Sequence, residues 1–356
     1  MSEGGVRSRR SDPASAKDTA AVPSGARDVA VIGEGQVARA VREGLGAEPG
    51  TPATDGPQRP WADQVRRVVL VLPAGEFGPA RPRGEPGLCA RDRLVAEARW
   101  VGESARAHGI EHVVAVTSAA VHGAAPGRAV VDDDEPPDPG AAGVAGDLVA
   151  AEDALREALG PVPLAVVRPA LVVGPGIDTI LTRHFEAPRL LTVRGGDRTW
   201  QLLHVEDLVS AVRVVLDAGL VGGLTAGALR DGRPDELDAE TVATVAGMRT
   251  VQLPAVTAFG AAERLHRVGV LPSPASDLAF VVYPWTVSAA RLHDAGWSPA
   301  WSSAAALEVL LDQVRGRLGV GGRRFGGRDA AALGAAGAAV AVLGTAAVWR
   351  QARARR

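Results

Sequence analysis

The chain has 356 residues, of which 46% are hydrophobic and 22% charged, and its formal net charge is -2. That length supports one large domain or two smaller ones with real cores, and the near-neutral balance leaves no electrostatic footprint for nucleic acid. The single cysteine, Cys89, excludes an internal disulfide framework and a thiolate metal cluster. It reads as an ordinary apolar thiol, and the scattered histidines lack ligand spacing, so no metal is expected.

Residues 1–27 are polar, contain Ser, Gly and Pro, and show no periodicity, which predicts a disordered tail. They lack the apolar stretch of a secretory signal, so a cytoplasmic protein is expected. Next, a short apolar run at 29–32 ends at Gly33, and Val37, Ala40, Val41 and Leu45 follow at helical spacing. A second strand is predicted at 67–75 and a long helix at 88–108. A third strand begins the segment HVVAVTSAAVHG, a helix covers 143–159, and a fourth strand opens PLAVVRPALVVGPG. Fully apolar strands alternating with helices indicate a parallel sheet covered on both faces. Residues 28–177 are therefore expected to form a doubly wound, Rossmann-type α/β domain.

From 178 to 320 the pattern is less regular. A strand, loop and helix are predicted within LLTVRGGDRTWQLLHVEDLVSAVRVVLD, and helices near 238–247, 255–268 and 302–318, giving a smaller, partly helical C-terminal lobe. Trp297 and Trp301 are expected to pack that lobe, and the acidic run Asp132–Glu135 to be a solvated loop. Residues 321–356 form a Gly/Arg linker and an Ala-rich tail. Residues 330–349 carry no charge and precede RQARARR, a length that spans a bilayer as a helix. Their Ala and Gly content makes insertion marginal, so membrane association through 330–349 and a soluble Ala-rich helix stand as alternatives.

Gly33-Glu34-Gly35-Gln36-Val37-Ala38 fits G-x-G-x-x-G/A between a predicted strand and helix. Gly33 permits the tight turn and Gly35 lets a pyrophosphate approach the backbone. Ala38 keeps helix and strand close, and the helix N-terminus supplies N–H donors. The alternative is a glycine turn that only closes a βα unit. Asp55 has the spacing of a ribose-binding acid but does not follow a recognisable strand, and Arg59 is the nearby candidate for a 2′-phosphate. NAD and NADP both remain open as the cofactor.

VTSAAVHG, RPALVVGPG, LLHVEDL and PWTVSAARLHDAGWSP, in that order, resemble the NAD-dependent epimerase/dehydratase family of extended short-chain dehydrogenases/reductases. The resemblance implies a Rossmann domain with a small substrate lobe, a nicotinamide dinucleotide, and a small-molecule substrate such as a nucleotide sugar or hydroxysteroid. It assigns Gly33, Gly35 and Ala38 to the cofactor loop and Ala74 to backbone passing the cofactor. Ser118 matches the serine that bonds the substrate oxygen, Pro169 the segment beside the nicotinamide, and His204 to Leu208 a structural box.

Two departures matter. Only about 30 residues separate Gly33 from the strand at 67, so the ribose-binding region is shortened. The family's Tyr-x-x-x-Lys pair maps to Val144 and Leu148, while the sole tyrosine is Tyr283 and the sole lysine Lys17. A positioned acid/base contributes about 10²–10⁴ in rate, and an apolar stripe at i and i+4 supplies none of it. Three readings follow. One is a dinucleotide-binding protein weak or inactive in tyrosine-dependent chemistry, serving as a sensor or binding module. Another is an active oxidoreductase or epimerase using Ser118 with His122, whose imidazole titrates near neutrality. The last is a structural protein that binds no cofactor.

Overall fold

The computed structural model describes residues 28–50, 65–76, 89–187, 189–268 and 274–315, with short strands at 319–320 and 323–324. The terminal segments 1–27 and 330–349, and with them the membrane question, lie outside the described residues, as do Asp55 and Arg59. Among the described residues no helix is long and apolar enough to cross a membrane.

Strand β1 (Val29–Ile32) runs into helix α1 (Gln36–Leu45), which leads to β2 (Glu48–Gly50). Then follow β3 (Arg67–Val71), α2 (Ala90–Ala107), β4 (His112–Val116), α3 (Gly143–Leu159), β5 (Leu164–Pro169) and β6 (Leu171–Val173). Beyond these come α4 (Ile180–Arg183), β7 (Arg189–Val193), β8 (Thr199–Trp200), β9 (Leu202–His204), α5 (Val205–Ala218) and β10 (Gly222–Ala226). The chain closes with a β11–β12 hairpin (Leu229–Arg230, Arg233–Pro234), β13 (Leu237–Asp238), α6 (Ala239–Ala246), β14 (Arg249–Leu253), α7 (Ala255–Arg267), α8 (Ala279–Val282), α9 (Ala290–Asp294) and α10 (Ser303–Val314).

Six strands make one parallel sheet in the order β10-β5-β4-β3-β1-β2. Successive side chains of a strand point to opposite faces, and β1 shows it. Val29 and Val31 enter a core with α1 and α5, whereas Ala30 and Ile32 enter a second core with α2 and α3. The doubly wound α/β fold expected from the sequence is present. β10 and α5 belong to this sheet and its cover, so the sheet crosses the expected boundary at 177/178. A third core, including Phe185, Trp200, Trp285, Leu307 and Leu310, holds the smaller lobe together.

Several local expectations change. Trp297 is buried against the sheet in the α1/α5 core rather than in the lobe, and its Nε1 donates to Ser210 Oγ at 2.8 Å. Trp301 stacks on His204, ring centroids 4.0 Å apart. The acidic run is not all solvated: Asp133 is buried and accepts from the backbone N–H of Thr225, from Thr225 Oγ1 at 3.0 Å and from Arg291 N at 2.9 Å. With three donors on one buried carboxylate, Asp133 fastens β10 to α9. Cys89 is exposed and caps α2, accepting from Asp92 N at 3.4 Å.

Candidate functional site

The chain leaves β1 for β2 on one side and returns to β3 on the other. The crevice at that reversal, outside the carboxyl ends of the strands, is where doubly wound sheets place ligands. It is lined by residues at or just past the ends of β3, β4 and β5: Ala74 and Glu76, Thr117 and Ser118, Pro169 and Ala170. A second cavity continues from it, sharing Ala74, Ser118, Thr179 and Leu181 and adding Gly75, Val144, Asp277 and Phe280. Ala74, Ser118 and Pro169, singled out from the sequence, are thus brought together.

Gly33 and Gly35 shape the phosphate end. Gly33 has φ +134°, and a Cβ there would stand 2.4 Å from the Val71 carbonyl oxygen, so β1 and β3 require glycine. Gly35, φ +97°, faces a carboxylate: its Cβ would lie 2.1 Å from Glu76 Oε2. That carboxylate accepts from Gln36 N at 3.0 Å and Val37 N at 3.3 Å. Unpaired amides and the partial positive charge of a helix N-terminus attract anions. Here the chain's own Glu76 is the anion. Ala38 is fully buried behind the loop, as close packing of helix on strand requires.

The cradle therefore fits a dinucleotide phosphate in its glycines and donors, and Glu76 must leave for one to enter. Burial raises the Glu76 pKa, and the two backbone bonds offset this only in part. The Glu76 backbone also forms an antiparallel bridge with Thr179, whose side chain caps α4. One residue thus closes the crevice with both its side chain and its main chain.

Ser118 is buried, and its Oγ accepts from Ala120 N at 3.2 Å, leaving its own proton to donate into the cavity. His122 does not join it. His122 lines a separate recess with Arg128 and Pro136 to Pro139. Its Nδ1 lies 3.2 Å from the Pro136 carbonyl and its Nε2 3.5 Å from Arg168 Nη1. With Nδ1 donating and Nε2 facing a guanidinium, the ring has no lone pair free for a substrate proton. Burial and then Arg168 lower its pKa. Arg168 in turn holds the fully buried Glu152, Nη2 to Oε2 at 2.7 Å and Nε to Oε1 at 3.3 Å, and Thr117 Oγ1 donates to Glu152 at 2.7 Å. This network braces the strand end that carries Ser118.

Val144 and Leu148 part company. Val144 lines the second cavity, where a Cβ on Gly75 would lie 3.6 Å from its Cγ2, whereas Leu148 is fully buried in the α2/α3 core. Only one of the two positions faces the site. Beside Val144 lies a residue missed in the sequence, Asp277, in the short 3₁₀ turn 275–278. A Cβ on Gly143 would meet Asp277 Oδ1 at 2.3 Å. Asp277 is 5% exposed, and only the Val144 amide turns toward its oxygens, with no full hydrogen bond to either among the described residues. Burial pushes its pKa up to about 6; the Val144 amide and His266 oppose the shift, and Asp147 adds to it. Only its place in the fold marks it, since Ser-Asp-Leu in a Pro-flanked loop carries no motif. No group of His, Cys, Asp and Glu suited to a metal occurs among the described residues.

No family profile matches the chain. It is 30% identical over 164 residues to the uncharacterized protein Rv2047c of Mycobacterium tuberculosis, covering 45% of this chain and 17% of that protein. It is 27% identical over 223 residues to the uncharacterized protein Rv0501 of the same organism, covering 60% of this chain and 56% of that one. The chain thus spans less than two thirds of these relatives. Among solved structures, the UDP-glucose 4-epimerase of Thermus thermophilus in complex with NAD superposes with a TM-score of 0.55 at 17% identity, over 81% of this chain and 99% of that one. WbmG of Bordetella bronchiseptica in complex with NAD and UDP gives 0.54 at 15% identity, over 82% and 95%. At these identities the likeness is one of fold. The fold shared with these structures is the doubly wound α/β fold that the sequence resemblance implied.

Proposed function

We propose that this chain binds NAD or NADP in the crevice between β1 and β3 and a small hydroxyl- or carbonyl-bearing molecule beside Ser118. The observation that carries the reading is the anion already seated on Gln36 N and Val37 N. Two amides and a helix N-terminus that hold a carboxylate hold a phosphate oxygen by the same physics. When bound, the cofactor would supply hydride transfer. Gly33, Gly35 and the α1 amides would hold its phosphates, Ala74 and Pro169 would border it, and Ser118 would donate to the substrate oxygen. Solved proteins of this fold that carry NAD and a nucleotide support the assignment of ligand class.

In this reading the chain is weak or inactive in the tyrosine-dependent chemistry implied by the resemblance, since Val144 and Leu148 supply neither proton nor charge. A sensor or binding role is compatible with that weakness. The alternative pairing of Ser118 with His122 loses support, because both imidazole nitrogens are engaged away from the crevice. Calorimetric titration of the intact protein with NAD⁺, NADH and NADP⁺ tests the proposal. Micromolar to millimolar binding is expected; absence of binding by the wild type and by Glu76→Ala alike overturns it.

A further inference from the structure

We propose that Asp277 is the proton-transfer group of the cavity that Ser118 and Val144 line, acting on a hydroxyl or carbonyl of a small substrate. The inference rests on the dinucleotide-binding reading above. Three features of the cavity carry it. Asp277 and Ser118 line one space whose other walls include Ala74, Val144, Leu181 and Phe280. The two carboxylate oxygens of Asp277 are buried with only the Val144 amide turned toward them and no full hydrogen bond among the described residues. A buried polar group left unpaired is costly unless a ligand or a proton satisfies it. Finally, Asp277 stands against Gly143 at the start of α3, beside the position where a tyrosine would otherwise project.

In oxidation, the substrate O–H bond breaks and its proton passes to an Asp277 oxygen. The C–H bond breaks with its electron pair leaving as hydride to an oxidised nicotinamide, and C=O forms. Reduction reverses each transfer. Ser118, whose Oγ already accepts from Ala120 N, has its proton free to donate to the same substrate oxygen.

The groups that set the titration are Asp147 on α3, which disfavours the carboxylate, and His266 on α7 with the Val144 amide, which favour it. Burial dominates, and the group titrates near 6, close to working pH, as a general acid/base requires.

The experiment uses the full chain with NAD⁺ and NADP⁺ against UDP-glucose, UDP-N-acetylglucosamine and a 3-hydroxysteroid, reading reduced nicotinamide by absorbance. Cofactor affinity is measured by calorimetry in parallel. Wild-type oxidation is expected to rise with pH through about 6 and level off. Asp277→Asn should lose about a hundredfold or more with cofactor affinity retained, and Asp277→Glu should recover part of the rate with a shifted profile. An amide of the same shape preserves any packing role, so a variant with the wild-type rate and pH profile overturns the proposal. A wild type that binds cofactor yet turns over none of the probes also overturns it and leaves the dinucleotide reading intact. Failure to bind cofactor at all defeats that reading and this one together.

Discussion

Glu76 and Gln36 lie forty residues apart in sequence, and the carboxylate of one accepts the backbone N–H of the other at 3.0 Å, with Val37 N at 3.3 Å on the second oxygen. The pair seats a carboxylate on the glycine-rich loop, and in the proposed reading that carboxylate competes with a dinucleotide phosphate. A hydrogen bond to a charged group contributes about 1.5–3 kcal/mol. Glu76→Ala is therefore expected to tighten NAD binding by about tenfold or more, and Glu76→Gln by less, both read by calorimetry.

The same pair predicts a pH dependence. Glu76 has a raised pKa while seated and an ordinary one, near 4.5, once displaced into solvent. The seated state therefore holds its proton more tightly and is favoured as pH falls. Expulsion by a dinucleotide should release a proton, so wild-type affinity should rise with pH through the window above 4.5 and flatten beyond the raised pKa. Titrations in buffers of different ionisation enthalpy measure the proton count. Glu76→Gln should show none of it, and an affinity of wild type that rises on acidification would refute displacement.

Asp277 predicts a stability effect separate from any turnover. Its folded pKa of about 6 lies above the ordinary 3.8, so its contribution to stability is fully present below 3.8 and is lost as pH rises through about 6. About two units correspond to about 3 kcal/mol at most. Asp277→Asn should thus gain on the wild type in thermal or urea unfolding at about pH 8 and forfeit that advantage toward about pH 4.5. An acidic side chain kept where an amide is more stable fits a group retained for chemistry rather than folding.

Arg168 and Glu152 are both nearly inaccessible, with side chains 5% and 0% exposed. Removing one partner strands the other in a low-dielectric interior, at about 3–5 kcal/mol. Arg168→Met should lower the urea midpoint accordingly, and the double variant Arg168→Met/Glu152→Met should recover much of the loss. Because Thr117 hangs from Glu152, the single variant should also disturb Ser118.

Asp133→Ala leaves the Thr225 N–H, the Thr225 hydroxyl and the Arg291 N–H without their acceptor. A destabilisation on the order of 3 kcal/mol is expected, visible in the melting temperature. Asp132→Ala, on the exposed side of the same run, should change little.

The sheet was legible because β1, β3, β4 and β5 each carry an apolar run of four residues, and helical patterns separate them. Two strands of the same sheet were not. β2 is Glu-Pro-Gly at the edge of the sheet among the described residues, a place where proline is tolerated, so it carries no strand signature. β10 is Gly-Gly-Leu-Thr-Ala, and Gly223 is required because a Cβ would stand 2.6 Å from the Asp133 carbonyl oxygen. Gly33, Gly35 and Ser118 were readable from local motifs. Glu76 and Asp277 were not, since each acts on a helix N-terminus far along the chain, and only the folded approach of α1 and α3 gives them a role. His122 illustrates the converse: four residues from Ser118 in sequence, it turns to Arg168 and Pro136 instead.

The main-chain bridge between Glu76 and Thr179 links the two halves of the crevice. Thr179 and Leu181 border the space beside Ser118 as well as the space beside Glu76. Dislodging the carboxylate from α1 therefore pulls on the wall of the neighbouring cavity. Steady-state kinetics should accordingly follow a compulsory sequence of addition, dinucleotide before small molecule, with the second ligand a poor binder until the first has arrived. Replacing Glu76 by alanine should relax that sequence toward random entry.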